Sequence, residues 1–227
     1  MTSRDTERML LLSDPTLAEK VDRQKQMRRF EHYVSQYLPE LHAGGMRILD
    51  IGTGAGEMLE VAQRMRNDAV GIERPRSQRA EHYRLWWQTY LRLVELIHEQ
   101  RRLAVWYVDL WAIIAGMCPG LRGPFHAINC RNGLQHIFKE HFDKTGAGLG
   151  AFGRWIFTDA FARDWRIVID WCSEMLVSGG TILLASRGAR NLDEYAEWTR
   201  MQAAAAGWRV AMEERGGLVI KLVRERG

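Results

Sequence analysis

The residues best suited to chemistry lie in the segment 46–57, MRILDIGTGAGE, in which a short apolar run ends at the acid Asp50. A glycine-dense turn follows and contains Gly52, Thr53, Gly54 and Gly56. A second apolar run, 70–72, ends at a second acid, Glu73. Glycines let a backbone approach a ligand closely, and an acid at the tip of the second strand can accept hydrogen bonds from ribose hydroxyls. This layout predicts a nucleoside-cofactor site on a β-α-β unit.

The glycine spacing distinguishes between cofactors. The dinucleotide fingerprint is G-x-G-x-x-G, but here the third glycine, Gly56, comes one residue early and Glu57 stands where that pattern needs glycine. A carboxylate there would repel a pyrophosphate, which binds at a helix N-terminus. S-adenosylmethionine (SAM) carries no phosphate and meets no such repulsion. The segment from Asp50 to Gly56 resembles the first motif of the class I SAM-dependent methyltransferases, and the resemblance covers the chain from about Met46 onward.

The resemblance implies a set of cofactor-binding residues. The glycine turn would approach the methionine part of SAM, Asp50 would orient that region, and Glu73 would bind both ribose hydroxyls. The implied cofactor-binding residues are Asp50, Gly52, Thr53, Gly54, Gly56, Glu73, Asp109, Leu110 and Asn129. Of these, Asp109 would meet the adenine amino group and the backbone amide of Leu110 a ring nitrogen. The fourth strand would end near Asn129, beside the transferable methyl group.

The segment after the fourth strand supplies the predicted acceptor site. Methyl transfer from a sulfonium is an in-line displacement, so the protein must align a nucleophile and sometimes remove its proton. A Leu-x-His element is common at this place in small-molecule members of the family, and here it ends at His136. His136 is therefore the general-base candidate, because the pKa range of histidine suits proton removal near neutrality; packing is its alternative role. The predicted substrate-binding residues are Arg131, Asn132, Phe152 and Trp155. The histidines interpreted as surface or packing residues are His82, His98 and His141.

Apolar runs and helical patterns alternate from residue 47 onward, which predicts an α/β protein with a Rossmann-like, doubly wound sheet of about seven mostly parallel strands. Strands are predicted at 47–51, 69–72, 104–108, 126–129, 181–186, 208–214 and 218–223, and a helix at 192–205. The last two strands must form an antiparallel hairpin, because a parallel crossover needs a dozen or more residues. An N-terminal helical cap is predicted over 1–43 and a SAM-binding domain over 44–227.

Two insertions exceed the minimal fold. Residues 75–102 are predicted to be helical and broadly apolar, so that this helix is either buried on two sides or part of a homodimer surface. Residues 139–164 contain a glycine-rich stretch that lacks a preceding strand and a Gly-Lys-Ser/Thr phosphate loop. We therefore interpret this stretch as a mobile loop that could act as a substrate lid.

Composition narrows the classes of function. The chain has 227 residues and a net charge of +4, which is only mildly basic, unlike a typical obligate nucleic-acid binder. No run is long and apolar enough to span a membrane, and the three cysteines have no paired or metal-like spacing. These features predict a cytoplasmic protein. No carboxylate cluster stands near the fourth strand, so no metal is expected.

Together these patterns predict a SAM-dependent methyltransferase that acts on an oxygen or nitrogen atom of a small molecule and releases S-adenosylhomocysteine. One alternative is an RNA- or protein-modifying methyltransferase, in which basic residues at 23–29 would supply phosphate contacts. Another is a SAM-binding subunit without catalytic activity. Aminopropyl transfer is disfavoured, because the acidic amine-binding motif of polyamine synthases is absent after the fourth strand.

Overall fold

The computed structural model describes residues 23–73, 85–131, 159–185, 192–214 and 219–224. The strands are β1 (Arg47–Ile51), β2 (Asp68–Glu73), β3 (Val105–Tyr107), β4 (Phe125–Arg131), β5 (Leu176–Ala185), β6 (Trp208–Glu214) and β7 (Val219–Arg224). The helices are α1 (Arg23–Tyr37), α2 (Glu57–Arg64), α3 (Leu85–Arg101), α4 (Leu110–Ile114), α5 (Asp159–Glu174) and α6 (Leu192–Ala205), with a short 3-10 helix at Pro39–Ala43.

The strands form one sheet in the order β3-β2-β1-β4-β5-β7-β6. The pairs β1–β4, β2–β3 and β4–β5 are parallel, whereas β5–β7 and β6–β7 are antiparallel. A parallel sheet needs helical crossovers between its strands, and the alternation of strands and helices along the chain provides them. The structure therefore confirms the predicted Rossmann-like sheet with its antiparallel C-terminal hairpin.

The chain divides into two compact units: unit 1 is Met1–Met46 with Thr53–Asp109, and unit 2 is Arg47–Gly52 with Leu110–Gly227. In unit 1, the fully buried side chains include Val34, Leu38, Leu41, Met58, Leu59 and Leu93. Asn67 joins two backbone segments of this unit: its Nδ2 donates to the carbonyl of Leu41 at 2.9 Å, and its Oδ1 accepts from the amide of Met46 at 3.0 Å. This buried amide ties the segment before β1 to the one before β2.

Unit 2 has an aliphatic and aromatic core. Its fully buried side chains include Phe125, Ile128, Trp165, Val168, Ile169, Leu183 and Leu222. On α5 and α6, the ring of Trp198 lies 4.9 Å from that of Phe161 and 5.7 Å from that of Trp165, measured between centroids. A strand inside a parallel sheet is expected to be buried on both faces; β4 is buried at five of its seven residues, including the polar Asn129, and β5 at its last six.

The observed bounds differ from the predicted ones mainly at β5. This strand begins at Leu176 rather than at residue 181, and the residues 178–180, which were predicted to be a turn, lie within it. Gly179 has a φ of 75°, and the register with β4 shifts between Phe125 and Ala127. The glycine pair thus forms an irregularity inside a strand, which local sequence patterns do not distinguish from a turn.

Parts of the two predicted insertions are described. α3 accounts for 85–101 of the first, and α5 begins at Asp159, so the last six residues of the predicted 139–164 insertion are helical. Residues 75–84 and 139–158 lie outside the described residues, as do residues 1–22 of the predicted N-terminal cap. No helix in the described part of the chain has both the length and the apolar character needed to cross a membrane.

Candidate functional site

The glycine turn of unit 1 leads from the end of β1 into α2. The amide of Thr53 donates to the carbonyl of Ile72 at 3.2 Å, and the amide of Gly56 donates to the carbonyl of Thr53 at 3.0 Å. Gly54 and Gly56 have φ values of 56° and 85°, in the left-handed region that favours glycine. The turn is therefore a tight backbone structure anchored to β2.

Glu73, the last residue of β2, holds this turn directly. Its side chain is buried, and its Oε2 accepts a hydrogen bond of 2.9 Å from the amide of Gly54. Bonds between a backbone amide and a carboxylate are stronger than bonds between neutral groups. The structure thus brings together two of the predicted cofactor residues, the acid and the glycine turn.

The turn has an open side and a closed side. Among the described residues, a Cβ atom placed on Gly54 would have no neighbour within 4 Å, whereas one on Gly56 would lie 2.3 Å from Cδ1 of Leu103 and 3.4 Å from Nε2 of His98. A side chain at position 56 would collide with the interior of unit 1. At position 54 the absence of a side chain leaves room for a ligand.

His98 lies behind the closed side of the turn. It is buried, and its Nδ1 is 2.6 Å from the hydroxyl oxygen of Tyr107 on β3. Burial lowers the pKa of His98 to about 4; the positive charge of Arg101 acts in the same direction and the backbone of Gly54 in the opposite one. The imidazole is therefore neutral at neutral pH.

Tyr107 also stays protonated. Its partial burial, together with the carboxylates of Glu95, Glu73 and Glu99, raises the pKa of its phenol well above the usual range. The sequence pattern had indicated a surface or packing role for His98 and no role for Tyr107. The only signal was the place of Tyr107 in the sequence, two residues before the predicted adenine-binding Asp109.

The end of β3 carries Asp109 at the boundary of unit 1. The amide of Val108 donates to the carbonyl of Glu73 at 2.9 Å, so the residues around Asp109 continue the pairing of β3 with β2. Asp109 is half-buried. Leu110, the first residue of α4 in unit 2, is buried.

In unit 2, Asp50 and Asn129 form a buried pair. They are register partners on the parallel strands β1 and β4, and Asn129 Nδ2 donates to Asp50 Oδ1 at 2.6 Å. Asn129 is fully buried and Asp50 is 3% exposed. The amide compensates part of the cost of burying the carboxylate, because a buried charge is tolerated only when it is hydrogen-bonded. Gly52 also belongs to unit 2.

The predicted acceptor residues are only partly described. Arg131 is the last residue of β4, is half-buried and pairs in register with Ala185 of β5. His136, Asn132, Phe152 and Trp155 lie outside the described residues, so their roles stay predictions. Among the described residues, no group of three or more His, Cys, Asp or Glu side chains is placed to hold a metal ion.

Comparisons with solved structures bear on the fold. A scan of protein-family models and a search of curated proteins found no match to the sequence. An O-methyltransferase family 2 protein from Planctomyces limnophilus, solved with apigenin, is 16% identical, with a TM-score of 0.54 over 99% of this chain and 62% of that one. This chain thus spans about three-fifths of that protein's length.

Two further structures are similar at a lower level. Magnesium protoporphyrin IX methyltransferase from Synechocystis PCC 6803, solved with SAM, is 12% identical, with a TM-score of 0.49 over 88% of this chain and 79% of that one. A methyltransferase from Pyrococcus furiosus is 11% identical, with a TM-score of 0.49 over 81% and 77%. The strand order and the similarity to the Planctomyces structure show that this chain has a Rossmann-like methyltransferase fold.

Proposed function

We propose that this protein is a SAM-dependent methyltransferase that transfers a methyl group to an oxygen or nitrogen atom of a small-molecule acceptor. One observation carries the proposal: the buried carboxylate of Glu73 holds the amide of Gly54 at 2.9 Å, on a turn whose Gly54 side has open space. A buried acid beside an open glycine turn suits a ligand with vicinal hydroxyls. A dinucleotide is disfavoured, because Glu57 stands in the first turn of α2, where a pyrophosphate would bind.

The residues of unit 1 fit SAM. A carboxylate offers about four lone-pair sites, enough for Glu73 to hold the Gly54 amide and to accept two ribose hydroxyls. Gly54 leaves room for the ligand backbone to approach, and Asp109 at the end of β3 is proposed to bind the adenine amino group. In unit 2, the proposed cofactor residues are Asp50, Gly52, Leu110 and Asn129.

When bound, SAM supplies an electrophilic methyl group on a positively charged sulfur. The contribution of this chain is to bind, orient and exclude water, since methyl transfer depends chiefly on the alignment of the reacting atoms. The Asp50–Asn129 pair fixes the ends of β1 and β4 with a charge held in one orientation. His136 is proposed to remove a proton from the acceptor, and Arg131, Asn132, Phe152 and Trp155 are proposed to bind it.

Support for a small-molecule acceptor is indirect. The Planctomyces protein was solved with apigenin, and the mild net charge of +4 gives no strong signal for RNA. Cysteines without paired spacing support a cytoplasmic location. The alternative functions are an RNA- or protein-modifying enzyme and a SAM-binding subunit without activity. A homodimer through the α3 region is compatible with each of them. Transfer of labelled methyl groups to small molecules, RNA and protein in parallel distinguishes among them.

Cofactor identity is tested by calorimetry on the full chain with SAM, S-adenosylhomocysteine and NAD. We expect the first two to bind and NAD not to bind. Glu73→Ala should weaken SAM binding by about 1–3 kcal/mol, because it removes a charged hydrogen-bond acceptor. Asp68→Ala, which removes an exposed acid at the other end of the same strand, is the matched control and should leave affinity unchanged. Binding of NAD without SAM would overturn the proposed function.

A further inference from the structure

We propose that His98 and Tyr107 are positioning residues for the cofactor: the imidazole supports the glycine turn from its closed side, and Tyr107 orients the ring so that Nε2 can donate to the turn when SAM binds. This inference rests on the proposed function. It assigns a role to two side chains that lie behind the turn rather than on its open side.

The first step is steric. His98 is 2% exposed, and its ring edge lies beside Gly56, with Cδ2 and Nε2 at 3.3 and 3.4 Å from the place of a Cβ atom on that glycine. These distances leave no free layer between the ring and the turn. A shift of the imidazole toward the turn therefore brings it against Gly56, which follows Gly54 by two residues.

The second step concerns the proton. Tyr107 stays protonated next to Glu73, Glu95 and Glu99, so its hydroxyl can donate to Nδ1 of His98. A neutral imidazole that accepts at Nδ1 carries its proton on Nε2. With Tyr107 as the donor to Nδ1, this hydrogen bond fixes the tautomer, because the bond made by one ring nitrogen determines the protonation of the other.

The second ring nitrogen of His98, Nε2, faces the turn. Among the described residues, the buried Nε2 of His98 makes no hydrogen bond of normal geometry, but the ring lies close enough to the backbone of Gly54 for that contact to raise its pKa. Buried polar atoms are almost always paired, and an unpaired one calls for an explanation. A leucine would fill this space without that cost. A weak contact between the Nε2 proton and the Gly54 backbone, which shortens to a full hydrogen bond when the ligand binds, explains why a polar ring stands here.

The fourth step concerns charge. Burial and the nearby Arg101 guanidinium keep the imidazole neutral. A neutral support is suited to a turn that binds a cationic sulfonium, since two like charges in a poorly solvated region repel each other. Tyr107 is also the register partner of Glu73, so the pair links the closed side of the turn to the strand beside the ribose-binding acid.

The main test is Tyr107→Phe, which removes one hydroxyl from a side chain that is 39% exposed and so should leave folding intact. We expect the affinity for SAM and for S-adenosylhomocysteine to fall by about 3- to 10-fold, the range for one lost hydrogen bond. Trp106→Phe, at the neighbouring exposed position of β3, is the matched control and should not change affinity.

A second pair of variants separates positioning from packing. His98→Leu fills the space without polar atoms, whereas His98→Gln restores an amide donor near the place of Nε2. We expect glutamine to recover part of the cofactor affinity that leucine loses, even where the two variants unfold at similar temperatures. Leucine binding SAM as tightly as the wild type would overturn the proposal.

A spectroscopic measurement reads the tautomer directly. In the wild type, the side-chain nitrogen resonances of His98 should show a proton on Nε2, and that proton should shift when S-adenosylhomocysteine is added. An unchanged resonance, together with normal affinity in Tyr107→Phe, would overturn the role of His98 while leaving the proposed function intact. If the wild type binds neither SAM nor its product, both proposals fail together.

Discussion

The interiors of the two units are built differently. Behind its glycine turn, unit 1 buries charged and polar side chains: Glu60 pairs with Arg101 at 2.9 Å, and His98 and Glu73 are almost inaccessible. Unit 2 buries the aromatic cluster of α5 and α6, and its buried acids Asp50 and Asp164 lie beside Asn129 and Arg163 respectively. The difference teaches that the stability of unit 1 should depend on protonation and pairing, whereas that of unit 2 should depend mainly on filled volume.

The largest expected effect tests whether the stability of unit 2 depends on the filled volume of its core. Trp165 is fully buried on α5 and contacts Trp198. Trp165→Ala should lower the free energy of unfolding by about 3–5 kcal/mol, because it removes a large apolar surface and leaves a cavity. Urea unfolding at two pH values measures it, and the loss should be the same at both. Ile167→Ala, on an exposed position of the same helix, is the control and should cost far less.

The next effect tests the protonation side. The pKa of His98 is lowered to about 4 from 6.5, so between these values the unfolded chain binds a proton that the folded chain excludes. Stability should therefore fall by about 3 kcal/mol as pH drops from 6.5 to 4, at about 1.4 kcal/mol per pKa unit. His98→Leu should abolish this part of the acid sensitivity. Parallel pH profiles of unfolding for the variant and the wild type would contradict the comparison.

The smallest effect asks whether burial, rather than charge itself, makes unit 1 sensitive. Arg92 and Glu95 on α3 form an ion pair of 3.3 Å whose side chains are partly exposed. Glu95→Gln should change stability by no more than about 0.5 kcal/mol, the usual range for such helical pairs. The same change at the buried Glu60 should cost clearly more. Equal costs in thermal unfolding would remove the distinction.

Much of the fold could be predicted from the sequence. The bounds of β1, α6 and β6 agree with the predicted ones, because each element is bounded by glycine, a polar run or a change of period. The predicted start of β5 was wrong, because Gly179 and Gly180 are typical of a turn but here lie inside the strand. A single sequence does not show that the neighbouring strand, β4, pairs with β5 on both sides of these two glycines.

The candidate site likewise has one part that local sequence signals predict and one part that depends on tertiary packing. Glycine spacing and the acid Glu73 are local signals, and the structure places them in hydrogen-bond contact. The contact of His98 with Tyr107 depends on the tertiary packing of α3 beside β3. Val94 and Ile97, on the same helix, are also buried. Because that helix is apolar on several sides, its period could not indicate which histidine faces the turn.

The amide of Asn67 has a practical consequence for anyone who wishes to shorten the chain. A version that began at residue 44 would remove the Leu41 carbonyl that this amide binds, together with Val34 and Leu38, whose side chains have no exposed surface. It would remove the shorter of the two hydrogen bonds that this buried donor makes, leaving only the 3.3 Å bond to the carbonyl of Met65, and it would uncover apolar surface on the remaining protein. Helix α1 and the 3-10 helix therefore set a lower limit on trimming, and a minimal folded fragment has to retain them.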